Sequence, residues 1–124
     1  MMQKAGWAAT AIAALMIGAS AAMKLAFVSG RMKEMSEAMA HLGIAESLVL
    51  TIAIIEIFCV MLYLIPRTSI LGAILLTGYL GGAVFTHLRV GDQVFGPLLP
   101  GILVWVGLYL RDPRIRALIP LREN

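Results

Sequence analysis

The spacing of charged residues restricts this chain more than any other feature. Nineteen uncharged residues separate Lys4 from Lys24, and twenty residues interrupted only by Glu56 separate Glu46 from Arg67. Twenty-one uncharged residues separate Arg67 from Arg89, and eighteen separate Asp92 from Arg111. A helix needs about 20 mostly apolar residues to cross the hydrocarbon core of a bilayer, within a range of about 17–25. The four runs predict transmembrane helices over roughly 6–28, 45–65, 69–88 and 94–110. Helices are expected because the runs are continuous and do not alternate, and because backbone groups in lipid must be satisfied within the segment. The fold class is all-α: an integral membrane four-helix bundle formed by a single domain over residues 1–124.

Composition excludes the other classes. The chain is 60% hydrophobic and 14% charged, against about 45–50% and about 25% for a soluble domain. Such a chain is neither a soluble globule nor a disordered one. A single cysteine, Cys59, excludes a disulfide scaffold and an internal dithiol pair. The net charge of +3 comes from a few bases and suggests no nucleic-acid partner. The lipid bilayer is the expected surroundings.

Two runs need comment. Lys4 followed by an apolar stretch and Ala19-Ser20-Ala21 resembles a cleavable signal peptide. The stretch is longer than the usual core of about 7–15 residues, and Lys24 follows at once, so a retained helix is expected. In the last run, proline at 97 and 100 removes amide donors. A helix starting at Pro97 has 14 residues to Leu110, about 21 Å, so an irregular turn is expected around Gly96-Pro97. Four crossings place both termini on one side. That side carries Lys4, Arg67, Arg111, Arg114, Arg116 and Arg122, while the other carries Lys24, Arg31, Lys33 and Arg89. Bases favour the cytoplasm, so both termini are expected there.

The connections have patterns of their own. Residues 31–42 place Met32, Met35, Met39 and Leu42 in one helical stripe, which suits a helix lying at the membrane interface or capping the mouth of the bundle. Asp112-Pro113 reads as the cap and first position of a short tail helix over 113–119. Its Ile115, Leu118 and Ile119 are expected to face the membrane, with Arg114 and Arg116 in water. Ala14, Gly18 and Ala22, together with Gly78, Gly81, Gly82 and Ala83, are expected to form a tight seam inside the bundle or a homodimer contact.

An ionisable residue within a membrane span is a functional candidate by default. Glu56 is the clearest, near the centre of its span. Desolvation favours the neutral form of an isolated carboxyl, suited to donating a hydrogen bond or exchanging a proton. Thr77, Tyr79 and Ser20 are its expected neighbours. The candidate pocket adds Lys24, Glu46, Thr86, His87 and Arg89, whose helix ends reach similar depth. Lys24–Glu46 and Glu46–Arg89 pairs fit this geometry, and such a cluster suits a polar head group, an anion or a quinone carbonyl. Snorkelling to water is the structural reading for Lys24 and Arg89. Histidine exchanges protons near neutrality, which makes His87 a relay candidate. Cys59 is expected to be a packed thiol. His41, His87 and the carboxylates show no recurring ligand spacing, so no metal is expected, and no resident cofactor is evident.

The run from Pro66-Arg67-Thr68-Ser69 through Gly78-Tyr79-Leu80-Gly81-Gly82-Ala83 to Thr86-His87-Leu88-Arg89 resembles the core of the DoxX-like membrane proteins. Glu56 one helix earlier and the closing Trp105, Leu110-Arg111-Asp112-Pro113-Arg114 fit as well. The resemblance implies a small four-helix, multi-pass protein of the bacterial inner membrane, with Glu56, His87 and Arg89 at family positions. It also implies a link to quinone-coupled redox chemistry through the wider DoxX and DoxD group. The leading expectation is a pocket near Glu56, opening toward His87 and Arg89, that takes a quinone or another lipophilic molecule. The alternatives are a non-enzymatic subunit or assembly factor packing on a partner membrane protein, and a small proton-coupled transporter.

Overall fold

A computed structural model describes residues 1–30 and 35–122. Its helices are α1 (Met2–Val28), α2 (Met35–Leu42), α3 (Glu46–Leu64), α4 (Ser69–Leu88), α5 (Phe95–Arg111) and α6 (Pro113–Leu118), with a 3-10 turn at Pro66–Thr68 between α3 and α4. No strand occurs among the described residues. Residues 31–34 of the expected interfacial segment lie outside them. Three helices, α1, α3 and α4 with its leading turn, are long and apolar enough to cross a membrane. The chain is an all-α membrane bundle. The four long helices close a ring, in which α1 packs on α3 and α5, and α4 packs on α3 and α5. One end, the base, gathers the start of α1, the α3–α4 turn, the end of α5 and α6. The other, the mouth, gathers the end of α1, α2, the start of α3 and the α4–α5 loop.

The outward surface is apolar, with Leu15, Ile54, Phe58, Ile74 and Phe85 all exposed. This is the arrangement of a bundle whose solvent is lipid. Its core is narrow. Ala13, Ile17, Ala73, Leu76, Val104 and Leu108 fill it from α1, α4 and α5, and Cys59 adds a buried thiol from α3.

The tight seam differs from the expected one. Gly78, Gly81 and Gly82 face outward, and a Cβ at any of them or at Gly18 would meet nothing within 4 Å. Ala22 is exposed as well. The close approaches are at Gly72, whose added Cβ would stand 2.3 Å from the Tyr63 amide nitrogen, and at Gly107, where it would stand 2.4 Å from Thr10 Oγ1. Four-residue spacing of small residues permits close packing but does not choose the face that receives it.

Helix α5 begins at Phe95, without the irregular turn expected at Gly96-Pro97. Pro97 lies among the first four residues, whose amides have no intrahelical acceptor, so its missing donor breaks no bond. Pro100 removes one rung without ending the helix, which is 17 residues long in all, about 26 Å. At the base, Asp112 caps α6 by accepting from the Arg114 amide at 3.0 Å. Ile115 does not face lipid; it enters the main core. Arg116 does not extend into water either. It folds back to donate to the Tyr109 carbonyl at 2.7 Å and the Leu110 carbonyl at 3.1 Å, closing the end of α5.

At the mouth, α2 and α4 end in the same way. Gly43 and Gly91 take positive φ of 75° and 81°. Each is followed by a residue whose amide returns to the preceding helix: Ile44 to Met39 at 2.9 Å and Asp92 to His87 at 3.0 Å. These are Schellman ends, which favour glycine because a Cβ is strained there. The first turns α2 back onto α3, and the second brings Asp92 beside His87. Met39, Leu42 and Val49, flanked by Phe27, Ile44 and Val90, form a small core separate from the main one.

Candidate functional site

Glu56 lies ten residues into α3, about 15 Å from its start, and is 2% exposed. It is not an isolated acid. Lys24 Nζ donates to Glu56 Oε1 at 3.0 Å and to Ser20 Oγ at 2.6 Å. The lysine side chain is 12% exposed, so it does not snorkel to water. The reason is geometric. Side chains on a helix lean toward its N-terminus. Near the end of α1 that direction is inward, away from the mouth, while on antiparallel α3 it carries Glu56 toward the mouth. The two residues converge. A paired ammonium removes the need to bury a lone carboxylate. Tyr79 on α4 and Cys59 on α3 neighbour the carboxyl.

The other sequence candidates do not join this pair. Glu46 is exposed and accepts from Ser36 Oγ of α2 at 3.0 Å. Arg89 Nη2 donates to the Leu42 carbonyl, and its guanidinium lies against Gly43. Thr86 Oγ1 turns back to the Gly82 carbonyl at 2.8 Å within α4. The suggested Lys24–Glu46 and Glu46–Arg89 pairs are absent among the described residues. Thr77 does not serve Glu56; it accepts from Trp105 Nε1 at 2.7 Å.

His87 belongs to a second cluster. Asp92 bridges the histidines, with Oδ1 2.9 Å from His41 Nε2 and Oδ2 3.6 Å from His87 Nδ1. The hydrogen bond with His41, reinforced by the two histidines' charge, holds the Asp92 carboxyl below its ordinary value. Together with Arg89 and Ser36, this clasp ties α2 to α3 and to the α4–α5 loop. A cavity of about 400 Å³ opens beside α2, lined by Phe27, Val28, Ser36 and Glu46. Val28 is one helical turn beyond Lys24 on α1. The cavity is therefore on the Lys24 side of the mouth, and its lining includes neither His87 nor Arg89.

Sequence reasoning missed Asp92 and the role of His41. Asp92 follows the glycine of a helix end, and that local signal marks a turn without identifying the partner. A family model described as the DoxX-like family matches residues 8–109, which include the pair, the mouth and the turn between α3 and α4. The chain belongs to the DoxX-like family. No curated protein and no solved structure matches it. In this DoxX-like chain the matched region contains Lys24, Glu56, His87 and Arg89, but excludes the capped tail helix α6. No group of three or more histidine, cysteine or acidic side chains suited to a metal occurs among the described residues.

Proposed function

We propose that this DoxX-like chain binds a lipophilic carbonyl compound of the quinone class at the Lys24–Glu56 pair, in a redox-related role at the bacterial inner membrane. One observation carries the reading: an ammonium and a carboxylate 3.0 Å apart inside an apolar bundle. Ionisable groups are costly at this depth and mark sites of binding or proton movement. Lysine has three N–H donors. Ser20 and Glu56 take two of them, leaving one for a ligand carbonyl. Glu56 then gives or takes the proton that accompanies a change in the ligand's charge, while Lys24 holds the carbonyl oxygen. Conversion of a quinone to its quinol takes two electrons and two protons; the electrons come from a membrane-bound reductase, and the second proton enters through the mouth. The mouth cavity beside Phe27 and Val28 supplies the approach. In this reading the chain crosses the membrane four times with both termini in the cytoplasm, consistent with six bases on the base side against four on the other.

The test is titration of a short-chain quinone into the detergent-purified protein, read by quenching of tryptophan fluorescence. Lys24→Met and Glu56→Gln are expected to weaken binding at least about tenfold, as for loss of a charged hydrogen bond. Unchanged affinity in both variants overturns the reading.

A second reading is a non-enzymatic membrane subunit or assembly factor, or a homodimer. It is favoured by the outward glycines of α4, which leave backbone open to close approach by another helix. Cross-linking through a cysteine placed at Gly82 tests it, and a chain found only as a monomer counts against it.

A further inference from the structure

The base holds a cation that has no counter-ion among the described residues. Arg111 closes α5, and its guanidinium carbon stands 4.0 Å above the Trp7 ring and 5.6 Å from the Tyr63 ring. Gly6 fixes it there: a Cβ on Gly6 would come within 2.8 Å of the Arg111 backbone and Cβ, so α1 and α5 touch at this level. Nη2 has one long bond, 3.5 Å to Ser69 Oγ, and Nε is buried with no acceptor. The nearest acid in sequence, Asp112, gives both oxygens to Arg114, at 3.1 and 2.9 Å. None of the ion pairs among the described residues includes Arg111.

The surroundings specify the missing anion. Trp7 is 44% exposed, and Leu64 and Ile65 beside the α3–α4 turn are exposed as well. An amphipathic ring, a guanidinium and bare aliphatic side chains at the end of a membrane bundle match the polar–apolar boundary of a lipid leaflet. Lys4, one turn before Trp7 on α1, and Arg67 on the α3–α4 turn add positive charge around this corner. A guanidinium offers several donors in one plane and suits phosphate oxygens. We propose that Arg111, backed by Trp7, binds the phosphodiester of an anionic phospholipid whose acyl chains lie along the exposed flank at Leu64 and Ile65. Trp7 orients the guanidinium from one side, Ser69 steadies Nη2, and the lipid phosphate supplies a negative charge that none of the described side chains brings to Arg111.

The full-length protein in detergent, stripped of lipid and then offered phosphatidylglycerol and phosphatidylcholine in equal amounts, tests this by native mass spectrometry. Both lipids carry the phosphodiester, but the choline cation is repelled by Lys4, Arg67 and Arg111, so the wild type is expected to retain phosphatidylglycerol about tenfold over phosphatidylcholine. Arg111→Gln is expected to bring that ratio close to one, while Arg114→Gln, at a side chain already paired with Asp112, leaves it unchanged. A wild-type ratio near one overturns the site, as does an Arg111→Gln ratio equal to the wild type's. Inorganic phosphate that raises the thermal midpoint as far as phosphatidylglycerol does overturns the lipid assignment. If Arg111→Gln does not fold, a phosphatidylglycerol with a photoreactive headgroup decides on the wild type. Cross-links at Trp7 or the Ser69 corner support the site, and cross-links confined to the mouth overturn it.

Discussion

The base and the mouth of this bundle are held by different physics. At the base, the Tyr63 hydroxyl donates to the Val104 carbonyl at 2.8 Å and stands 3.1 Å from Thr10 Oγ1, so one buried side chain ties α1, α3 and α5. Ser69 Oγ donates to the Tyr63 carbonyl at 2.9 Å, and Thr68 Oγ1 to the Leu62 carbonyl at 2.7 Å, which fixes the turn into α4. At the mouth the ties run between exposed or half-exposed groups, Ser36 with Glu46 and His41 with Asp92, over a small separate core. Buried bonds in a dry, close-packed interior resist opening; solvent-facing ones do not. The contrast teaches where motion belongs. The base carries the buried ties, and the mouth, one turn beyond the Lys24–Glu56 pair, is the end expected to open first.

The strongest challenge to this contrast is Tyr63→Ala. It removes a fully buried aromatic ring and a three-helix tie, and a loss of about 3–5 kcal/mol is expected from thermal unfolding in detergent. A loss no larger than that of a surface substitution would erase the distinction between the two ends.

A smaller global effect than that of Tyr63→Ala is expected for Asp92→Asn, because exposed ion pairs contribute little. Its signature is local: amide hydrogen exchange across α2 accelerates while α3 and α5 keep their protection. Acid sharpens the same point. The folded Asp92 carboxyl is held below its ordinary value of 3.8 by His41 first and His87 second. Its contribution is therefore complete above pH 3.8 and is lost as pH falls through the lower folded value, so α2 exchange rises on acidification there. Exchange across α2 that is insensitive to acid would break the clasp.

The smallest effect is expected at Gly82. Its outward face is open, so Gly82→Ala changes the stability of the single chain by no more than about 0.5 kcal/mol in either direction. A larger loss would show that this surface is packed against another chain.

The legibility of the sequence followed the range of each interaction. The bundle could be read because charge spacing and span length are local along the chain. The cap at Asp112 was equally local, an acceptor placed two residues before the amide it receives. Glu56 stood out because a carboxyl in an apolar run needs a reason. Its partner did not, because the pairing depends on which helices are neighbours and on the inward lean of a side chain near a helix end. Lys24 looks interfacial in one dimension and is interior in three. The seam failed for a related reason. The GxxxG pattern of α4 was conspicuous, whereas Gly72 and Gly107 acquire meaning only when Tyr63 and Thr10 arrive from other helices. Tyr63 has no local signature at all, and His41 and Asp92 are 51 residues apart.

The adjacency of α1 and α5 bears on how the molecule is made. The ribosome delivers the first helix long before the last, and contacts distant in sequence form late. Until α5 is inserted, Gly6 and Thr10 have no Gly107 to pack against, and until α3 is inserted Lys24 has no carboxylate. The nascent chain therefore passes through a stage in which α1 waits in the bilayer with a glycine groove and a cation unmatched, and the ring shuts only once α5 has been made and inserted.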